Sequence, residues 1–470
     1  MSDYVADPAI LTLGGPPPSP FFDAVEAAAF PTLILRYRNR RWDARVGLSG
    51  LSDADWLDHF GRFHPLADNL KAPLALRYHG HQFRNYNPDI GDGRGFLFAQ
   101  LRDEAGRLLD FGTKGSGQTP YSRFGDGRLT LKGGVREILA TEMLEALGVY
   151  TSKTFSLIET GEALQRNDEP SPTRACVLVR LSHSHIRFGT FQRLAFEQDA
   201  EAMARLVSYC CRHLETSNPS GMDADPVAFF ARVVARTARL VADWTAAGFV
   251  HGVLNTDNMN VTGESFDYGP WRFAPSVDPE FTAAYFDQTG LYAFGRQAEA
   301  GAWNLARLGG CLTLMASVDG LNDALSTYTE HYQSALSDAL FRRLGLQRSG
   351  AGDAALTAAL LGWLEASRAP LEQVLFDWFG GKESDARAAA SPLADLYGAP
   401  AFAEAKALIR AAPPDRPSRL AHRYFSGTAP CTMLIDEVEA IWAKIAERDD
   451  WSALEDKLRA IAAMREAYNY

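Results

Sequence analysis

The chain has 470 residues, 46% of them hydrophobic, which is enough apolar length for a large core spread over two or three domains or lobes. With 47 Lys and Arg against 58 Asp and Glu the net charge is −11, which speaks against a nonspecific nucleic-acid binder and obliges an anionic ligand to find a local basic cluster. The opening Met1-Ser2-Asp3-Tyr4-Val5-Ala6-Asp7 has neither a basic region nor an apolar core, and no later run approaches a membrane span, so a soluble cytoplasmic protein without a membrane partner is expected.

After the proline-rich entry Gly14-Gly15-Pro16-Pro17-Pro18, the first 190 residues mix short β-like runs with glycine turns. His79 and His81 flank Gly80 with no third ligand at a useful spacing, so loop hydrogen bonding is the better reading than a metal pair. The turn Gly91-Asp92-Gly93-Arg94-Gly95 leads into Phe96-Leu97-Phe98-Ala99-Gln100-Leu101, and glycines there let main-chain N–H groups approach phosphate oxygens. A tight turn needing positive φ explains any one of them equally well. Residues 96–101 and 108–114 read as paired strands around Asp103-Glu104-Ala105-Gly106. Gly133-Gly134 is expected to break the chain before a helix over 135–147. His183 and His185 stand two apart, placed to position the chain that follows them.

From about residue 197 helical periodicity dominates. Pro226 to Ala247 is a strong helix, with Pro at its start and Gly248 after its end, and it runs straight into Phe249-Val250-His251. Further helices are predicted over 299–316, 322–343, 354–378, 399–411, 431–447 and 452–467, with an Ala-rich helix or linker over 383–391. The tryptophans do not interleave with Lys or Arg as a single-strand nucleic-acid groove would require. Cys176, Cys210, Cys211, Cys311 and Cys431 are too few and too scattered for a disulfide framework and read as buried free thiols.

Residues 251–269 carry the most information. His251, Asn258 and Asp267 fall in register with the kinase pattern H-R-D-L-x-x-x-N followed by D-F-G, in which the Asn and the second Asp hold metal. The base position is Val253, which cannot accept a proton, and Asp257, directly before Asn258, is the candidate replacement. The glycine turn precedes Lys114, and Lys114 precedes Glu137 by 23 residues, the order in which a kinase strand Lys is held by a helix Glu. The expectation is a protein-kinase-like α/β fold of two lobes, a mixed α/β lobe over 1–190 and a helical lobe over 191–345, with extra helices over 346–470. At this point the chain is either a nucleotide-binding scaffold or an enzyme using another carboxylate.

The stretches Gly80-His81-Gln82-Phe83, Gly91-Asp92-Gly93-Arg94, Gly112 to Arg123, Gly125-Asp126-Gly127-Arg128, Arg136-Glu137, Ser184 to Gln192, His251 to Met259 and Asp267-Tyr268-Gly269-Pro270 resemble the selenoprotein O family of kinase-like protein AMPylators. The resemblance implies a kinase-like fold that binds ATP end for end reversed, so that AMP is transferred to protein Ser, Thr or Tyr hydroxyls and pyrophosphate leaves. It implies nucleotide contacts from Gly91, Gly93, Arg94, Asp126 and Gly127, and a phosphate contact from Lys114 paired with Glu137. Arg180 and Arg187 would hold the γ-phosphate, Asn258 and Asp267 a magnesium or manganese ion, and Asp257 would be the base. The partners implied are ATP and hydroxyl-bearing proteins, the chain itself among the candidates. Transfer of the γ-phosphate and a non-catalytic scaffold are the competing readings; Val253 argues against the first and the retained Asn258 and Asp267 against the second.

Two departures stand out. The family often ends in a Cys- or selenocysteine-containing tail, whereas this sequence closes on Arg465-Glu466-Ala467-Tyr468-Asn469-Tyr470 and has no Cys between Asp267 and Gln297, so a disulfide from tail to activation segment is not expected. Residues after about 345 match only loosely, leaving their role open.

Overall fold

A computed structural model describes residues 3–14, 18–167, 169–215, 224–350 and 352–469; residues 15–17 of the proline-rich entry lie outside them. The fold is mixed α/β, its strands concentrated before residue 183 and helices dominating after it. The main sheet is antiparallel, with strands in the spatial order Phe22–Ala24, Leu74–Leu76, Leu97–Arg102, Leu108–Lys114, Thr173–Ser182, Lys153–Leu164, Ile34–Arg38. Its hairpin at 97–114 has the predicted turn: Asp103 Oδ1 accepts from the main-chain N–H groups of Ala105 and Arg107 at 3.0 and 2.8 Å, and Gly106 takes φ +75°. Leu101 then faces Leu109 across the pair.

The long helix that follows this hairpin corrects one expectation. It spans Leu131–Ala146 and contains Gly133 and Gly134 instead of starting after them, because the Thr130 side chain caps it by accepting from Gly133 N at 3.2 Å. Gly134 answers to packing: a Cβ there would lie 2.4 Å from Leu157 Cδ1 and 2.8 Å from Cys176 Sγ. Glycine thus lets the helix approach the sheet closely.

Helix Pro226–Ala246 follows its prediction. Asp225 accepts from the N–H groups of Val227 and Ala228 at 3.1 Å each, Pro226 occupies the first turn, and Gly248 leaves the end at φ +65°. Two predicted long helices are broken. Residues 322–343 fall within Val318–Ser326 and Tyr328–Leu344, and 354–378 divides into Asp353–Ser367 and Leu371–Asp377. At the second break Arg368 is left-handed at φ +55° and Pro370 cannot donate to a continuing ladder. The Ala-rich stretch forms a short helix, Asp385–Ala390.

The largest apolar core runs through Leu131–Ala146, Pro226–Ala246, Gln297–Leu312 and the last helix, Ser452–Tyr468. That last helix packs back on Leu131–Ala146, where Arg465 pairs with the Glu142 carboxylate and donates to the Glu142 main-chain oxygen at 3.2 Å. The C-terminal helix therefore braces the helix that carries Glu137. All five cysteines are free thiols, four of them buried, and no helix among the described residues is long and apolar enough to cross a membrane.

Candidate active site

A cleft of about 720 Å³ is lined by residues of the glycine turn, the central strands and the loop after Asp257. Of the sequence-predicted residues it gathers Gly91, Gly93, Arg94, Lys114, Asp126, Gly127, Arg180, Arg187, Asp257 and Asp267. Lys114, at the end of its strand, pairs with Glu137, both almost fully buried. Asn258 does not line the cleft: it sits on the turn Thr256–Asn258 and its side-chain amide donates to the Val253 carbonyl at 2.9 Å, which turns its amide oxygen away from that carbonyl.

Asp267 is the electrostatic centre. Its Oδ1 accepts from Arg180 Nη1 at 2.9 Å and lies 3.3 Å from Lys114 Nζ, while Oδ2 lies 3.3 Å from Arg187 Nη1. Burial alone would raise its pKa, but Arg180, Lys114 and Arg187 outweigh it and hold the carboxyl well below the usual range. Its backbone is left-handed at φ +64°, so the surrounding contacts hold a side chain on an unusual conformation. His251 supports this loop from beneath, its Nε2 lying 3.0 Å from the Phe266 carbonyl.

Asp257 contrasts with it. Only 8% exposed, it has one carboxylate oxygen, Oδ1, with no protein hydrogen-bond partner. Burial pushes its pKa up to about 6 against the pull of Arg187. Room for that oxygen comes from Gly80, where a Cβ would stand 2.7 Å from it. Two carboxylates in one cleft are thus driven apart, Asp267 strongly ionised and Asp257 poised to take a proton near neutral pH.

Sequence reasoning gave no role to Gln82, which lines the cleft with Asp257 and holds down its pKa, or to Asp92, whose Oδ1 is 3.6 Å from Arg187 Nη2. Nor did it give one to Tyr78, whose ring lies 4.2 Å from the Arg187 guanidinium. Gln82 and Asp92 stood inside motifs already singled out, which was the available signal. Asp126, at the mouth, is exposed and held by Arg166 at 2.8 Å. The histidines follow their expected roles: His79 Nδ1 meets Tyr86 Oη and His81 Nδ1 meets Gln192, each at 2.7 Å.

Among the described residues no three His, Cys, Asp or Glu side chains form a metal cage. A magnesium-type ion needs less, since it keeps water and takes phosphate oxygens alongside one or two carboxylates. Asp267, which lines the cleft, offers hard carboxylate oxygen donors of that kind.

Cations clustered at one carboxylate, beside a second buried carboxyl, are the electrostatics that suit an enzyme handling a phosphate-bearing substrate. A family model described as protein adenylyltransferase SelO matches residues 8–462. Relatives named protein nucleotidyltransferase YdiU include one from Synechocystis sp., 52% identical over 344 residues, 72% of this chain and 70% of the relative. Another, from Gloeobacter violaceus, is 43% identical over 484 residues, 99% of this chain and 95% of the relative. A third, from Pseudomonas aeruginosa, is 38% identical over 330 residues, 70% and 67%. The chain belongs to the SelO family of protein adenylyltransferases and is an enzyme that transfers AMP from ATP to protein.

Proposed function

We propose that the AMP acceptor is a Ser, Thr or Tyr hydroxyl and that Asp257 is the base that removes its proton. The observation that carries this reading is the buried Asp257 carboxylate, with one oxygen unpartnered in the cleft, where the kinase-type base position holds Val253. The hydroxyl oxygen attacks the α-phosphorus and the bond from that phosphorus to the oxygen bridging the β-phosphorus breaks. Asp257 takes the hydroxyl proton, and pyrophosphate leaves with the bridging oxygen.

In this reading the nucleotide lies reversed, its γ-phosphate between Arg180 and Arg187, which are buried and able to make charge-assisted bonds to an anion that stays bound. Lys114, fixed by Glu137, meets a phosphate oxygen, and Gly91, Gly93 and Gly127 line the cleft where the nucleotide would lie. Gly93 is hemmed in, since a Cβ there would lie 2.8 Å from the Tyr121 carbonyl. Asp267, together with Asn258 after an amide reorientation, would hold magnesium or manganese, which when bound neutralises charge on the phosphates. The sheet-rich part before about residue 190 and the helical part after it correspond in this proposal to the two lobes of a kinase-like enzyme, working in the cytoplasm. The test is intact-mass analysis of the protein and of hydroxyl-bearing acceptors after incubation with ATP and metal. A gain of one adenylyl group, located by fragmentation to Ser, Thr or Tyr, supports the proposal; attachment at a different side chain refutes the acceptor assignment.

A further inference from the structure

Two turns beside the cleft carry aromatic side chains where turns ordinarily carry small or polar ones. The hairpin of Gly80–Gln82 and Asn85–Asn87 closes through Phe83 and Arg84, both left-handed at φ +48° and +64°. Such a two-residue connection favours Asn and Gly, so Phe83 stands there against the local backbone preference. The second turn is Ala284 to Asp287, closed by Asp287 N donating to the Ala284 carbonyl at 3.1 Å, with Tyr285 and Phe286 at its tip. Tyr285 is 79% exposed and Phe286 47%, the only pair adjacent in sequence among the large exposed apolar side chains of the described residues.

The tip is presented on a fixed base. Ala283 and Ala284 are buried against Gly252, where a Cβ would lie 3.0 Å from Ala283 Cβ, and the two oxygens of the buried Asp287 carboxylate accept from Leu291 N and Tyr292 N at 2.8 Å each. Nor is the pair remote from the chemistry. Gly80 lies against the Asp257 carboxylate and Gln82 lines the cleft; the ring of the next residue, Phe83, has its centroid 5.8 Å from that of Phe286 and 5.1 Å from that of Tyr292, and Phe286 meets Tyr285 at 5.1 Å. Asn255, two residues before Asp257, ties the two turns together, its Oδ1 accepting from Phe83 N at 3.0 Å and from Tyr292 Oη at 2.9 Å. A run of aromatic rings therefore leads from the side of Asp257 to solvent.

The occupant follows from the reaction. AMP goes to protein, so a polypeptide has to lie across the mouth of the cleft with its hydroxyl at the reacting phosphate, and the residues flanking that hydroxyl then cover the surface beside Asp257. Exposed aromatic rings at that place suit a large apolar side chain, because contact removes apolar area of both partners from water. We propose that Tyr285 and Phe286, backed by Phe83, form the acceptor-recognition surface of this enzyme and take a large apolar side chain within a few residues of the modified hydroxyl. The proposal rests on Asp257 marking the place where that hydroxyl arrives.

The test is a positional-scanning library of short peptides, each with one Ser, Thr or Tyr as acceptor and with the flanking positions set in turn to Leu, Phe, Gly or Glu, incubated with the full chain, ATP and metal and read by mass for the adenylyl gain. Wild type should use the best Leu- or Phe-bearing peptide at least about tenfold better in kcat/KM than its Gly-bearing counterpart, the discrimination that burial of one large apolar side chain gives. In the double variant Tyr285→Ser with Phe286→Ser that ratio should fall towards one. Because Phe286 also packs on Phe83, Tyr285→Ser alone, at the more exposed position, is the second variant and should lower the ratio at least about threefold. A general loss of activity slows both peptides alike, so only lost recognition moves the ratio. Equal use of apolar and Gly-bearing peptides by wild type overturns the inference while leaving AMP transfer to hydroxyls standing, and so does a ratio that survives in both variants. An oligomer of wild type, seen in sedimentation and dissociated by the double variant, would give this face to a second copy of the chain and likewise overturn it.

Discussion

Arg187 is tied to Asp257 through the main chain: its Nη1 donates to the Asp257 carbonyl at 2.9 Å, while one oxygen of the Asp257 carboxylate has no partner. The guanidinium therefore positions the proposed base without neutralising it through a direct carboxylate contact. It also reaches Asp267 Oδ2 at 3.3 Å, so one side chain spans the base and the proposed metal carboxylate.

Arg180 offers the cleaner test of phosphate recognition, because among the carboxylates of the described residues it pairs only with Asp267. Arg180→Ala should weaken ATP about 10- to 100-fold, the loss expected for a charged hydrogen bond, and leave adenosine nearly unaffected. Calorimetry with both ligands checks this; equal losses would assign Arg180 a structural role.

Gly80→Ala should act on the chemistry without touching nucleotide. The new Cβ would stand 2.7 Å from Asp257 Oδ1 and 3.0 Å from Ile90 Cδ1, forcing the carboxylate aside. Displacement of a reacting group by about 1 Å can cost about 100-fold, so kcat for AMP transfer should fall strongly while ATP affinity stays constant. Single-turnover kinetics measure it.

Much of this site was legible because short motifs kept Lys114, Glu137, Asp257 and Asp267 in a recognisable order, and the Pro226 and Gly248 signals bounded a helix correctly. Less legible was what depends on tertiary contact. Gly133-Gly134 reads as a breaker in isolation, yet Thr130 caps the helix ahead of the pair and the closeness of Leu157 makes Gly134 a packing requirement. Pro370 carried a break signal that the periodicity of the flanking residues masked. The Asn258 amide bond to Val253, and the convergence of three cations on Asp267, are side-chain geometries that spacing does not encode.

Stability should show the buried Glu264. Burial lifts its pKa from 4.5 to about 7, against Lys153, and its Oε2 accepts from His183 N at 2.7 Å. The folded state holds this proton more tightly than the unfolded state, so stability is fully present below about pH 4.5 and is lost as pH rises through about 7. Glu264→Gln keeps an acceptor for His183 and removes the ionisation. The variant should gain up to about 3 kcal/mol relative to wild type between pH 5 and 8, measured by denaturant unfolding. An unchanged pH dependence would contradict the assignment.

Asp257 must be ionised to accept a proton. With its pKa raised to about 6 by burial, the rate of AMP transfer should fall below that pH and level off above it. Asp257→Asn should lower the rate about 10²- to 10⁴-fold and abolish that acidic limb, with ATP affinity retained. A pH–rate profile of both proteins decides, and an acidic limb that survives in Asp257→Asn would assign it to another group.

The most direct measurement of the central claim uses ATP labelled separately at the α- and γ-phosphates, at saturating ATP and metal, with wild type and Asp257→Asn side by side. The account predicts covalent α-label on protein from wild type, no covalent γ-label, and a large loss of α-label rate in the variant. Covalent γ-label, or α-label at equal rates with and without the Asp257 carboxylate, would contradict it.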